Sequence, residues 1–212
     1  MENSQSLKSE RKEVARFMRR LYRMGLTTVS GGNISLKIQP DIMLITVSGT
    51  DKGRLKWKDV GVMRLNGDNI TPELKPSIEF AMHLAIYKRK NAVSAIVHAH
   101  PVFASSFTAM KNKIRTDLTA EAWTLLHEPL LAPYRVMGSI ALAEQVAEKS
   151  LESNVLLLEN HGVLTMGSSL LQAFDRMEVL ENAARMTVIT SLMGRKKRLS
   201  SKQKAEINKI FS

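Results

Sequence analysis

Two histidines one residue apart, His98 and His100, follow the apolar run Val93 to Val97. In an extended strand, side chains two positions apart lie on the same face, so both imidazoles project toward one point. Imidazole serves as acid, base or metal ligand. A catalytic zinc site typically takes three protein ligands at about 2.0–2.2 Å and keeps a fourth position open. Glu159-Asn-His-Gly162 places a third histidine, His161, at the mouth of another apolar strand, Asn154 to Leu158. Lys75-Pro-Ser-Ile-Glu-Phe-Ala-Met-His83 reads as the opening of a helix. Pro76 suits a first turn and Ser77 a cap or first-turn position. Glu79 then falls in the first turn, where the positive end of the helix dipole favours a carboxylate. Three histidines and one glutamate, each at the end of a regular element, read as a three-histidine metal site with a mobile fourth ligand. His83, one turn past Glu79, reads as a satisfied helix histidine, and His127 as structural or exposed.

Three further segments suit an anion: Gly31-Gly32-Asn33, Ser48-Gly49-Thr50 and Pro76-Ser77. Glycine permits close backbone approach, and successive N–H groups in a turn form an anion-binding nest. Each is also a common turn or cap. Together, on a basic chain beside a metal candidate, they indicate a phosphorylated substrate anchored next to a Lewis acid.

The elements that must position these residues alternate between helix and strand. A helical stripe of Val14, Phe17, Met18, Leu21 and Met24 predicts a helix over Ser9 to Met24, stopped by Gly25. Strands are expected at Ile34 to Ile38, Met43 to Val47, Val62 to Leu65, Leu130 to Ala132, Val155 to Leu158 and Gly162 to Met166, with a short helix near Lys56 to Val60. Helices are expected over Val102 to Met110, Ser139 to Leu151 and, longest of all, from Ser169 onward. Lys111 to Trp123 carries no readable period. Early hairpin-like pairs argue for an α/β sandwich with a mixed or largely antiparallel sheet. There is no G-x-G-x-x-G after a strand and no Walker loop.

The 212 residues fit one domain spanning 1–212, with a basic C-terminal tail from about 195. The absence of cysteine excludes disulfides and thiolate metal sites, so a zinc site must use histidine and carboxylate. The net charge of +11 favours anionic partners in general. Much of it is local, in Arg16, Arg19, Arg20, Arg23 and the run Arg195-Lys-Lys-Arg198. No nucleic-acid motif or aromatic interleaving accompanies that run, so it reads as a solvated face. No signal-peptide core and no long apolar segment occur in the sequence, which reads as cytoplasmic with no membrane partner.

The ordered set Gly32-Asn-x-Ser35, Ser48-Gly49, Pro76-Ser-x-Glu79-x-x-x-His83, His98-x-His100-Pro and Glu159-x-His161-Gly resembles the class II aldolase/adducin family, in particular its L-fuculose-phosphate aldolase branch. The resemblance implies a three-layer α/β/α fold with a central, mainly antiparallel sheet, and a C4 homotetramer with active sites at subunit interfaces. It implies one zinc per subunit on His98, His100 and His161, with Glu79 as a resting ligand that swings away to act as base. It matches Gly32, Asn33, Ser48, Gly49 and Ser77 to phosphate-binding positions. The activity implied is cleavage of a small ketose 1-phosphate such as L-fuculose 1-phosphate to dihydroxyacetone phosphate and an aldehyde. Two departures stand out. Ile78 occupies the place of a second phosphate-contacting serine, and no tyrosine appears between Lys111 and Leu131 or in the tail, where those aldolases carry proton-donating or site-closing ones. A methylthioribulose-1-phosphate dehydratase, a related epimerase or decarboxylase, and a non-catalytic adducin-like scaffold are the other readings. Retention of every metal ligand argues against the scaffold.

Overall fold

The computed structural model describes residues 7–194 and 197–211. Arg195 and Lys196 of the basic run lie outside the described residues. In chain order the elements are α1 (Lys8–Arg23), β1 (Asn33–Lys37), β2 (Ile42–Thr46), β3 (Val60–Arg64), α2 (Phe80–Arg89), β4 (Ala95–Ala99), α3 (Val102–Ser106), α4 (Ala120–Leu126), β5 (Leu130–Ala132), α5 (Ile140–Ser150), β6 (Val155–Leu158), β7 (Gly162–Gly167), α6 (Leu170–Leu192) and α7 (Ser201–Phe211). The strands form one sheet in the order β3-β2-β1-β4-β7-β6-β5. Every neighbouring pair is antiparallel except β5 with β6.

Both faces of the sheet are buried, and the period of two along each strand decides which helices each residue meets. On β4, Ala95, Val97 and Ala99 join a core with Val14, Phe17 and Leu21 of α1 and Phe174, Met177 and Leu180 of α6. Ile96 faces the other way, into a core with Met82 and Ile86 of α2 and Leu142 and Val146 of α5. This is a three-layer α/β/α arrangement around a mainly antiparallel sheet. Alternation puts Asn33 and Ser35 of β1 and His98 of β4 on the α2 side, with Asn33 directly opposite His98. On the other edge of β4, Ala99 is opposite Val163 of β7.

Several boundaries differ from expectation. Met24 follows α1 rather than ending its stripe and is 42% exposed. Gly25, at φ +68°, provides the left-handed stop. The short helix near Lys56 to Val60 is one 3-10 turn at Trp57–Asp59, and β3 starts earlier than Val62 because Thr46 pairs with Val60. The expected helix over Val102 to Met110 breaks after Ser106 into a 3-10 turn. The unreadable stretch holds a 3-10 turn at Thr116–Leu118 and α4, whose amino end is capped by the Thr119 hydroxyl accepting from Ala122 N. Among the described residues of the basic tail, Ser201–Phe211 form a helix. Trp123 of α4 donates Nε1–H to Asn208 Oδ1 at 2.9 Å, and Lys204 Nζ lies 4.5 Å from the Trp123 ring centroid.

Candidate metal centre

His98 sits within β4, and His100 lies just past its end, on the same side as the strand alternation requires. His161 occupies the tight turn between β6 and β7, where Asn160 adopts a left-handed φ of +52° and His161 N donates to Leu158 O at 3.0 Å. One ligand nitrogen from each of the three rings lies within 4.8 Å of the others. The ring centroids are 4.8 to 5.6 Å apart. Two glycines make room for His100. A Cβ at Gly31 would lie 3.1 Å from His100 Nδ1, and one at Gly162 would lie 3.1 Å from His100 Nε2. The turn after His100 is fixed from behind by buried Glu181 of α6, whose carboxylate accepts from Phe103 N and Ala104 N at 3.1 and 2.8 Å.

Glu79 enters from the opposite side. The helix expected to contain it begins one residue later, at Phe80, and Ser77 is not its cap. Ser77 Oγ instead accepts from Glu79 N at 3.3 Å and shapes the approach to the helix. Freed from the helix, the carboxylate reaches into the histidine cluster. Oε2 lies 3.1 Å from His98 Nε2, and Oε1 lies 3.1 Å from His161 Nε2.

Neither contact has the angular geometry of a hydrogen bond. Glu79 Oε1, His98 Nε2 and His161 Nδ1 are buried with no hydrogen-bond partner. His98 Nδ1 is 3.0 Å from the Val163 carbonyl, which can only accept, so Nδ1 carries the hydrogen. In the neutral ring the Nε2 lone pair then faces a carboxylate. Two electron-rich atoms held 3.1 Å apart require a cation between them: a proton or a metal ion. The donor set fits a divalent metal, with three imidazoles, one carboxylate and one histidine oriented by a backbone carbonyl.

Burial favours the neutral form of His100 and of His83. Burial and the charges of His98 and His161 bring His100 down to about 4. His83, fully enclosed, is lowered to about 3 by burial and by His98. Burial alone would raise the Glu79 carboxyl, but His98 and His161 outweigh it and hold the group below its ordinary value. For His98 the Glu79 charge overcomes burial and raises the imidazole.

The expected anion segments converge beside Glu79. Ser48 N donates to Lys75 O at 3.0 Å and Ser48 Oγ to Pro76 O at 3.1 Å, which joins the Ser48-Gly49 turn to Pro76-Ser77. Gly49, at φ +67°, is exposed at the tip of that turn. Gly32 approaches from β1, where a Cβ would lie 2.8 Å from His98 O, so only glycine fits. Asn33 plays a different part from a simple anion contact. Its Nδ2 donates to Glu79 Oε2 at 2.9 Å, and its Oδ1 meets His83 Nε2 at 2.5 Å. His83 is therefore part of the site's buried polar framework, together with Ser35 of the Gly32-Asn-x-Ser35 motif and Tyr87, whose position gave no local signal. Thr27 also went unmarked; its buried Oγ1 has no partner and lies where a Gly32 Cβ would point. Lys52 lies behind the same loops, with Nζ donating to Val47 O at 2.6 Å, and burial lowers it to about 8. Ile78 is 56% exposed beside Ser77, and His127 is exposed, stands outside the three-histidine group and contacts Trp123. A cavity of about 450 Å³ lined by Trp123, Leu130, Leu157 and Lys204 shares no residue with the centre; Leu157 points to the opposite face of the sheet.

The model of the class II aldolase and adducin N-terminal domain matches residues 12–188. An L-fuculose phosphate aldolase of Methanocaldococcus jannaschii is 35% identical over 184 residues, covering 87% of this chain and 98% of that protein. A 3-oxo-tetronate 4-phosphate decarboxylase of Haemophilus influenzae is 32% identical over 173 residues, covering 79% of this chain and 81% of that protein. The solved structure of an L-fuculose 1-phosphate aldolase superposes with a TM-score of 0.87 at 28% identity, covering 95% of each chain.

Proposed function

Since this chain belongs to the class II aldolase and adducin family, whose aldolases are metal-dependent lyases, we propose that it is a zinc-dependent aldolase. It reversibly cleaves a small ketose 1-phosphate, such as L-fuculose 1-phosphate, to dihydroxyacetone phosphate and an aldehyde. The observation that carries this reading is the buried Glu79 carboxylate set against three imidazoles with unsatisfied atoms at their focus. His98, His100 and His161 hold the zinc, one ion per subunit, with Glu79 as the displaceable fourth ligand. When bound, the ion supplies Lewis-acid stabilisation to the charge that develops on the substrate's carbonyl oxygen as the C–C bond breaks. In condensation Glu79, ionised beside its histidine neighbours, removes the proton from the dihydroxyacetone carbon; in cleavage it takes up the proton lost by the substrate hydroxyl beside the breaking C–C bond and delivers a proton to that carbon. Gly32, Asn33, Ser48, Gly49 and Ser77 form the phosphate pocket. Glycine and serine there offer backbone N–H and hydroxyl donors. The reading includes a C4 homotetramer with sites between subunits, and work in the cytoplasm. Among the described residues no helix is long and apolar enough to cross a membrane.

The relative named as a decarboxylase supports a second reading, release of carbon dioxide from a phosphorylated keto acid. One panel separates the two. Purified protein loaded with zinc is supplied with ketose 1-phosphates, methylthioribulose 1-phosphate and 3-oxo-tetronate 4-phosphate, with coupled detection of dihydroxyacetone phosphate, dehydrated product and carbon dioxide. Dihydroxyacetone phosphate from a ketose 1-phosphate supports the aldolase. Its absence with every ketose removes that assignment, and carbon dioxide from the keto acid replaces it with the decarboxylase.

A further inference from the structure

Behind Glu79 an unbroken line of buried polar side chains runs between the sheet and α2. Asn33 Nδ2 lies 2.9 Å from Glu79 Oε2, and Asn33 Oδ1 lies 2.5 Å from His83 Nε2. His83 Nδ1 lies 2.6 Å from Ser35 Oγ, which lies 2.7 Å from the Tyr87 hydroxyl. Asn33, Ser35, His83 and Tyr87 are 0 to 3% exposed, so water does not complete their hydrogen bonds. The hydrogens must therefore be shared within the line.

Counting them leaves one arrangement for a neutral His83. A carboxylate only accepts, so Asn33 turns its NH2 toward Glu79. The amide oxygen then faces His83 Nε2, which must carry a hydrogen. A neutral ring has its lone pair on Nδ1, so the Ser35 hydroxyl donates there. The serine oxygen is left to accept from Tyr87. Every hydrogen points toward Glu79. The competing acceptor for Tyr87, the Ser94 carbonyl, is farther away at 3.3 Å. A cationic His83 would reverse the far half of the line: Nδ1–H to Ser35, Ser35 to Tyr87, Tyr87 to Ser94. Enclosure of the ring, with the charge of His98 nearby, brings His83 down to about 3 and disfavours that state.

The geometry points to Tyr87, Ser35, His83 and Asn33 as a one-way donor line that positions Glu79, occupying Oε2 and leaving Oε1 as the atom that handles the proton. These are positioning residues, since only Asn33 touches the carboxylate. The inference rests on Glu79 acting as the proton-handling group. It also makes the line dependent on the tautomer of a histidine that itself touches neither metal nor substrate. Aligned hydrogen bonds polarise one another, so loss at the Tyr87 end is felt at Glu79.

The test begins with the zinc-loaded, full-length protein carrying 15N-labelled histidine. Long-range proton–nitrogen correlation spectra, assigned with His83→Gln, are expected to show His83 neutral with its hydrogen on Nε2 at pH 7. A hydrogen on Nδ1, or on both nitrogens, overturns the inference whatever the enzyme's substrate is. The second arm uses the substrate found active in the panel above, or any partial reaction it reveals. Ser35→Ala is expected to lower kcat about 10–100-fold with little change in KM, zinc stoichiometry retained, and Ser35→Thr to restore most of it. Unchanged kcat per folded enzyme in Ser35→Ala overturns the positioning role. A failure of every panel substrate overturns the aldolase and decarboxylase readings, while the spectra still decide the donor line.

Discussion

Replacing Gly162 with alanine adds one methyl group at the tightest point of the centre. The new Cβ would lie 2.7 Å from the Ala99 carbonyl oxygen, inside the 3.0 Å that real Cβ atoms essentially never approach, and 3.1 Å from His100 Nε2. Ala99 sits in the β4–β7 ladder opposite Val163, so its carbonyl cannot retreat without loosening central strands. The side chain of His100 is the softer neighbour, and because the new Cβ would press on its Cδ2 even more closely than on the Ala99 carbonyl, the ring itself must move out of place. Metal–ligand distances tolerate only about 0.2 Å, and perturbing ligand orientation typically costs about 10–100-fold in affinity, about 1.4–2.7 kcal/mol. Overpacking should also destabilise the metal-free protein by about 1–3 kcal/mol. For a chain of this size that lowers Tm by about 2–4 °C per kcal/mol. Zinc affinity is read by competition with a chromogenic chelator, and Tm by melts with and without zinc. The expected result is weaker zinc binding and a smaller zinc-induced rise in Tm than in the parent. A Gly162→Ala protein that loses stability yet binds zinc as tightly as the parent would refute the placement of His100 among the ligands.

Two other outcomes follow from the same geometry. Glu79→Gln keeps the three imidazoles and the side-chain volume, so zinc binding should survive while kcat falls by about 10²–10⁴-fold; retained turnover would place the base elsewhere. Lys52, 1% exposed and lowered from 10.5 to about 8, gives a stability change of defined sign. Between these values the unfolded chain binds more protons than the folded one, so the stability contribution is complete above pH 10.5 and is lost as pH falls toward 8. The range corresponds to about 3 kcal/mol. Urea unfolding should show a rise across that window that Lys52→Met abolishes, and identical pH profiles for the two proteins would contradict a buried, charge-strained lysine.

The centre was legible where the period of a strand did the positioning. His98 and His100 share a face because they are two apart, and no tertiary information is needed for that. The same holds for Glu159-Asn-His-Gly162 after an apolar run. The line behind Glu79 was not legible, because its members meet across β1 and α2 at separations of 46 to 52 residues. His83 looked like a bland helix residue since its partner lies on another strand, and Glu79 looked helical since nothing local shows that α2 starts at Phe80. The C-terminal helix had a signal that its charge obscured. Ser200 and Gln203 form a reciprocal cap, Ser200 N donating to Gln203 Oε1 at 2.9 Å and Gln203 N to Ser200 Oγ at 3.3 Å. Thr119 likewise marked α4, within a stretch whose short elements hid any hydrophobic period.

The order β1-β4-β7 has a consequence for how such a molecule can diversify. Asn33, His98, His100 and His161 all ride on three contiguous strands in the middle of the sheet, or within two residues of them. Ile78 and the exposed loop containing Val136 and Met137, by contrast, meet at the surface where Gly138 packs on Ile78. Mutations in that outer loop leave the inner scaffold its register. A side chain at position 78 or in that loop is thus free to change in size and charge without disturbing the ladders that carry the histidines.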